Sequence, residues 1–293
     1  ALALMRSRYA AYALSLADYI IQTTHPGSPL YQFDLELWKK EILKFSKETT
    51  FQKLEILDVA ESTPFSSVTF AAHMTKKRNA SFTEKSYFEN LNGQWFYRNG
   101  LMKTGIKNSI DGPRASNLLP FAYIGDEVLL KKAAPIDRIT DEIRELVYKM
   151  QDTMDALNGI GLAAPQVHHS LRIFVIREPI EREDGEMDLG QFKVFINPTL
   201  DNPAKDEILD YEACLSIPGI EAEILRPTQI TVRYTDFNGD AHEERAKGLY
   251  ARAIMHEMDH LDGVLFFDHL SLEHQEQIQP FLTTIKARFL KVT

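Results

Sequence analysis

Between Ala253 and Gly263 the chain reads A-I-M-H-E-M-D-H-L-D-G, and His256, Glu257 and His260 are the side chains that metal-assisted hydrolysis uses. Residues i and i+4 stack on one helical face with Cβ atoms roughly 5–6 Å apart, so both imidazoles can grip one divalent cation. Glu257 lies beside them; a carboxylate that is not itself a ligand is suited to move protons on and off a metal-bound water, whose pKa the metal lowers to roughly 7. A catalytic metal usually has three protein ligands and one open position. A histidine six residues beyond His260 is excluded as the third, because Phe266 stands there. Glu273 and Glu276 fit a carboxylate on a later helix, and Cys214, in E-A-C-L-S, is the soft alternative; the residues alone leave these open.

These groups need a scaffold. Thr140 to Leu157 carries Ile143, Leu146, Val147, Met150, Met154 and Leu157 at helical period, with Thr140 as cap and Asn158-Gly159 as terminator. Apolar runs at 172–177, 193–197 and 229–236 read as strands, the last turning at Asn238-Gly239, and 126–134 as a short helix or turn. Leu272 to about Leu290 repeats Ile278, Leu282, Ile285 and Phe289 as a closing helix that packs back on its own domain or reaches toward a partner such as the ribosome.

The first hundred residues read differently. Leu2 to Thr23 is a helix by spacing (Leu4, Tyr12, Leu16, Tyr19, Ile20), and Asp34 caps a second, to Lys47, burying Leu37, Trp38, Ile42 and Phe45. Strands follow at 53–60, 66–74, 81–90 and 94–99, the last two hinged at Asn92-Gly93. Two helices and an antiparallel meander make a small α+β unit. His25, His73, Trp95, Phe96 and Tyr97 read as core and loop filler rather than the lining of a ligand cone. The segment 105–117, rich in Gly, Pro, Ser and Asn, reads as a linker, giving domains 1–104 and 118–293.

With 293 residues, 44% hydrophobic and 26% charged, the composition is that of an ordinary globular protein. A net charge of −9 argues against DNA as a partner, and no window approaches the ~18 apolar residues of a membrane span. One cysteine excludes an internal disulfide framework and fits a cytoplasmic location. The chain begins with Ala rather than Met, so it reads as processed or truncated.

A-L-M-R-S-R-Y-A-A-Y, a later H-P and a G-Q-W-F-Y strand resemble the NTF2-like domain of a bacterial family in which it follows a cysteine-rich SEC-C zinc motif; this chain begins about where that motif would end. Three further motifs, G-I-G-L-A-A-P-Q (159–166), Y-E-A-C-L-S-I-P-G (211–219) and H-E-M-D-H-L-D-G-V-L-F, stand in the order and spacing of the peptide deformylases. That resemblance implies an α+β domain with the HExxH helix against antiparallel strands, and a metal-dependent hydrolase that removes the formyl group from N-formylmethionyl peptides of newly made chains. It implies Cys214, His256 and His260 as metal ligands, Glu257 as general acid/base, and Gln166 with the backbone N–H of Leu215 as oxyanion donors. Substrate binding would fall to Ile160, Gly161, Ala213, Leu249, Arg252 and Ala253, and Glu212 would pair with Arg233 to hold the cysteine loop. The implied metal is Fe(II), with Zn(II), Ni(II) or Co(II) as replacements.

Two departures from the family pattern stand out. Ala213 replaces a glycine, and Arg252 takes a usually apolar place one turn before His256, where it must snorkel, pair with a carboxylate or contact substrate. Alternatives of other kinds are a zinc metallopeptidase using Glu273 or Glu276, and a vestigial metal-binding protein whose pocket Arg252 has remade.

Overall fold

The computed structural model describes residues 1–182 and 187–289. The chain divides into two compact units, Ala1–Leu118 and Leu119–Thr293. The first opens with α1 (Leu2–Ala13), α2 (Ala17–Gln22) and α3 (Leu35–Glu48). The single helix expected over residues 2–23 is broken, because Ser15 takes a left-handed φ of 58°. The break turns Ala17 and Ile20 inward against Trp38 and Ile42 of α3, and leaves Leu16 outside. On α3 the cap is as read, with Asp34 Oδ1 accepting from the Leu37 amide at 2.9 Å. Leu37, expected in the buried stripe, is half-exposed, since it flanks the face centred on Trp38 and Ile42.

A four-stranded antiparallel sheet follows, in the order β1 (Thr50–Ala60), β2 (Phe65–Thr75), β3 (Phe82–Leu91), β4 (Gln94–Thr104). The hairpin between β3 and β4 turns on Asn92 and Gly93, both at positive φ, which these two residue types tolerate best. Residues 105–117 lie with this unit: the Lys85 ammonium donates to the Gly112 carbonyl at 3.0 Å and the Tyr87 hydroxyl to that of Pro113 at 2.9 Å. Ile110 and Ala115 are buried, so the composition that suggested a linker here belongs to a strap held by side chains of β3.

The second unit contains α4 (Asp141–Ala156), then β5 (Gly161–Ala163), β6 (Ile173–Glu181), β7 (Met187–Asp201), β8 (Glu207–Cys214), β9 (Ile217–Pro227), β10 (Gln229–Thr235) and β11 (Ala241–Lys247). It closes with α5 (Gly248–Asp262) and α6 (Leu272–Phe289). Thr140 is the residue before α4, but its side chain makes no capping bond to the backbone. Five strands form one antiparallel sheet in the order β11-β10-β7-β6-β5, and among the described residues β8 pairs only with β9. Ile173, Phe174, Val175 and Ile176 of β6 are all buried, as expected for a strand covered on both faces. One core joins this sheet to Ala251, Ile254, Met255 and Leu261 of α5. A second joins the β8–β9 hairpin, through Cys214, Ile217 and Ile224, to Leu282 and Ile285 of α6. The closing helix thus packs on its own domain; its expected end at Leu290 lies outside the described residues. Among the described residues no helix is long and apolar enough to cross a membrane.

Candidate metal centre

α5 is a helix with three occupied faces. Ala251, Ile254, Met255 and Leu261 enter the sheet core. Arg252, His256 and His260, spaced by four, form a stripe toward the β8–β9 hairpin, and Glu257 lies against Gly161 at the start of β5. The helix stops at Gly263, whose φ is 73° and where a Cβ would stand 2.8 Å from the backbone of Leu130, so both conformation and space call for glycine.

The hairpin brings the thiol to that stripe. Cys214 ends β8, and its Sγ lies 3.2 Å from His260 Nε2. One donor atom each from Cys214, His256 and His260 all lie within 4.8 Å of one another. Glu273 and Glu276, the other candidates for a third ligand, are exposed on α6 and have no place in this cluster. Glu212, two residues before the cysteine, faces the same way along β8, and its Oε2 lies 3.0 Å from His256 Nδ1. A carboxylate there accepts from Nδ1–H and leaves the Nε2 lone pair free for a metal.

The pairing of Glu212 with Arg233 expected above is not the one formed. Arg226 of β9 takes Glu212 bidentately at 2.8 and 3.0 Å, because the hairpin folds β9 back over β8 and brings the guanidinium inside. Arg233 lies on β10 and is half-exposed, paired instead with Asp201 and Glu243 on the neighbouring strands. Arg226 also reaches Asp259 at 2.8 Å, and His269 closes the group on Asp259 at 2.7 Å. Arg252 joins Glu212 too, at 2.9 Å, and donates to the carbonyls of Ile208 and Ile224 at 2.8 Å and of Asp210 at 3.3 Å. Of the three options for a guanidinium beside the site, carboxylate pairing is the one realised, and Arg252 is taken up by the hairpin.

On the other side stands G-I-G-L-A-A-P-Q. After β5 the chain enters a short 3-10 turn, Ala164–Val167, and the Ala163 amide fixes Gln166 Oε1 at 2.8 Å. This turns Gln166 Nε2 toward Cys214 Sγ at 3.5 Å and Ser216 Oγ at 3.2 Å. Leu215 occupies the two-residue turn between β8 and β9, and a Cβ on Gly159 would sit 2.9 Å from its Cδ1. A Cβ on Gly161 would sit 2.4 Å from Glu257 Oε1, so the glycine leaves the room the carboxylate fills. Ile160 and Ala253 are half-buried, while Leu249 and Ala213 are exposed. Ala213 has no positive φ, which explains why a methyl is tolerated where the family pattern has glycine.

The electrostatics follow from this packing. Burial raises the cost of charging Glu212, but hydrogen bonds from His256 and Arg226 outweigh it and hold the carboxyl well below the usual range. Burial likewise opposes a Cys214 thiolate, yet the adjacent His260 and His256 bring the thiol well below its ordinary value. Glu257 goes the other way: burial pushes it up to about 7, while His256 and His260 pull it down. Its Oε2 is buried with no partner among the described residues. The donor set fits a divalent ion, because thiolate and imidazole ligands roughly 2.0–2.3 Å from a tetrahedral centre lie about 3.5 Å apart. The fold and donor set thus define an α+β domain able to hold a divalent metal by one thiol and two imidazoles, beside a proton-carrying carboxylate.

Comparisons with known proteins narrow that class. Residues 118–276 match the sequence profile of the polypeptide deformylase family, and the chain belongs to that family. Residues 1–100 match the middle, NTF2-like domain of YchJ. The peptide deformylase of Chlorobaculum parvum is 38% identical over 176 residues, covering 60% of this chain and 92% of the relative. That of Christiangramia forsetii is 40% identical over 175 residues, covering 57% and 89%. Among solved structures, the Ehrlichia chaffeensis peptide deformylase aligns at a TM-score of 0.54 with 33% identity, covering 58% of this chain and 97% of that one. A Synechococcus elongatus peptide deformylase solved in complex with actinonin aligns at 0.51 with 39% identity, covering 60% and 90%.

Proposed function

We propose that this chain hydrolyses the formamide at the N-terminus of N-formylmethionyl peptides, releasing formate and a free amino terminus. The observation that carries the reading is the convergence of Cys214, His256 and His260 within 4.8 Å beside Glu257, in a chain of the polypeptide deformylase family. The three would hold a divalent ion: the family resemblance implies Fe(II), which an electron-rich thiolate accommodates, with zinc, nickel or cobalt as replacements. When bound, the ion supplies a Lewis acid and lowers the pKa of water to roughly 7.

The remaining work falls to side chains. Glu257 takes a proton from the attacking water and delivers it to the departing amine as the C–N bond breaks; a carboxyl pushed up to about 7 suits both duties. Gln166 Nε2, aimed by the Ala163 amide, and the Leu215 backbone N–H would donate to the formyl oxygen as it gains charge, each worth about 3–4 kcal/mol when well placed. Glu212 keeps His256 in one tautomer, and Arg226 and Arg252 keep Glu212 ionised. Gly161 lets an extended peptide approach β5, with Ile160, Leu249 and Ala253 as its apolar neighbours and Ala213 at its edge. Arg252 we assign to positioning rather than to substrate.

The test is formate release from a formyl-Met peptide by iron-loaded protein handled without oxygen. Turnover that disappears with Glu257→Ala while metal content holds supports the reading; no turnover by the intact, loaded protein ends it. Metal content that survives Cys214→Ala would show that the thiol is not a ligand and would overturn the assigned ligand set.

A further inference from the structure

The first unit holds a half-open cavity of about 480 Å³ between α1, α3 and one face of the sheet, within the ~300–1,000 Å³ of small-molecule sites. Its walls are aromatic, among them Trp38, Phe45, Phe51, Phe70 and Phe88. Alternate residues of a strand share a face, so Phe82, Glu84, Ser86 and Phe88 of β3 all line it, placing a carboxylate and a hydroxyl between two aromatic rings where a plain core would be apolar throughout.

That carboxylate has a prepared seat. The hydroxyls of Ser86 and Tyr97 both donate to Glu84 Oε1, the latter at 3.2 Å, while no described group donates to Oε2. Across the sheet Ser86 faces Gly100, where a Cβ would lie 2.2 Å from Glu84 Oε1, so the missing side chain is what leaves space. Arg8, the cation in the lining, commits Nη1 to Thr23 Oγ1 at 2.7 Å and to Thr24 Oγ1 and the Ile20 carbonyl at 3.0 Å, with its guanidinium over the Tyr97 ring at 4.8 Å. Glu41 also lines the cavity, so its side chains hold two carboxylates against one guanidinium. Burial raises the Glu84 carboxyl above the usual range although the Ser86 and Tyr97 hydroxyls and the Arg8 charge pull it down, and an incoming cation would offset the remaining cost.

We propose that this cavity binds a small organic cation, a primary or secondary amine on an apolar body, with the ammonium donating to Glu84 and the body among the aromatic rings. Ring faces favour such a cation as well as its hydrocarbon part. The hydrolytic centre plays no part in this site.

Three probes of one shape decide it on the full chain: 4-phenylbutylamine, 4-phenylbutanol and 4-phenylbutyrate, titrated by calorimetry and by tryptophan fluorescence. Trp38 lines the cavity and Trp95 does not, so Trp38→Phe should abolish the fluorescence response. The amine should bind at least about tenfold more tightly than the alcohol and the carboxylate most weakly, in line with hydrogen bonds to a charged group. Glu84→Gln should weaken the amine about tenfold or more and leave the alcohol within about twofold. Equal binding of amine and alcohol, preference for the carboxylate, amine affinity indifferent to Glu84→Gln, or no binding of the amine would each overturn the proposal. If Glu84→Gln does not fold, the ranking on the unaltered chain decides.

Discussion

At the residue scale the centre depends on how each polar atom is held. Glu257 has a buried oxygen with no partner among the described residues and a carboxyl raised to about 7, so Glu257→Gln should cut kcat about 10²–10⁴-fold in the formate assay with metal content unchanged. Gly161→Ala adds a carbon 2.4 Å from Glu257 Oε1 and must displace the carboxylate; about a hundredfold loss in kcat is expected, again at full metal content. Glu212 acts through His256 Nδ1. Glu212→Gln removes the charge that orients and enriches that ring, so metal affinity measured by chelator competition should fall about 10–100-fold.

At the scale of elements, the β8–β9 hairpin is the part most dependent on buried charge. Belonging to neither edge of the five-stranded sheet, it is tied to α5 by Arg252, which bonds Glu212 and three hairpin carbonyls. Arg252→Met would leave those carbonyls and part of Glu212 without donors. A loss of about 3 kcal/mol in urea denaturation is expected, since removing one member of a buried ion pair typically costs about 3–5 kcal/mol and Arg226 here remains on Glu212. Because Cys214 ends β8 at the turn of this hairpin, the same substitution should weaken metal retention.

At the scale of the whole molecule, the two units have separate cores and every residue of the candidate centre comes from the second. A chain of residues 119–293 should therefore fold and release formate at a rate within a few-fold of the full chain, measured with the same peptide and metal. A truncated chain that is soluble and loaded but inactive would show that the first unit contributes to catalysis.

Much of this was legible in the order of residues. The HExxH spacing places two candidate ligands and a carboxylate on one helix because helical geometry is local, and α3 and the meander of the first unit follow from periodicity and turn residues for the same reason, whereas the break at Ser15 between α1 and α2 does not. The β8–β9 hairpin was not, since D-E-I-L-D-Y-E-A-C and the run after it mix charged and apolar residues without the buried-strand signature. Which arginine would meet Glu212 also lay beyond local pattern: Arg226 and Arg233 differ by seven positions, and only the fold of β9 over β8 buries one and leaves the other on the sheet surface. Of the five residues weighed for a ligand cone, Tyr97 alone lines the cavity; the carboxylate beneath the aromatic walls sits on a strand whose inward face is set by its partners. Sequence determines what repeats over a turn or a pleat. Contacts between groups distant along the chain are decided by packing, because only packing sets which faces meet.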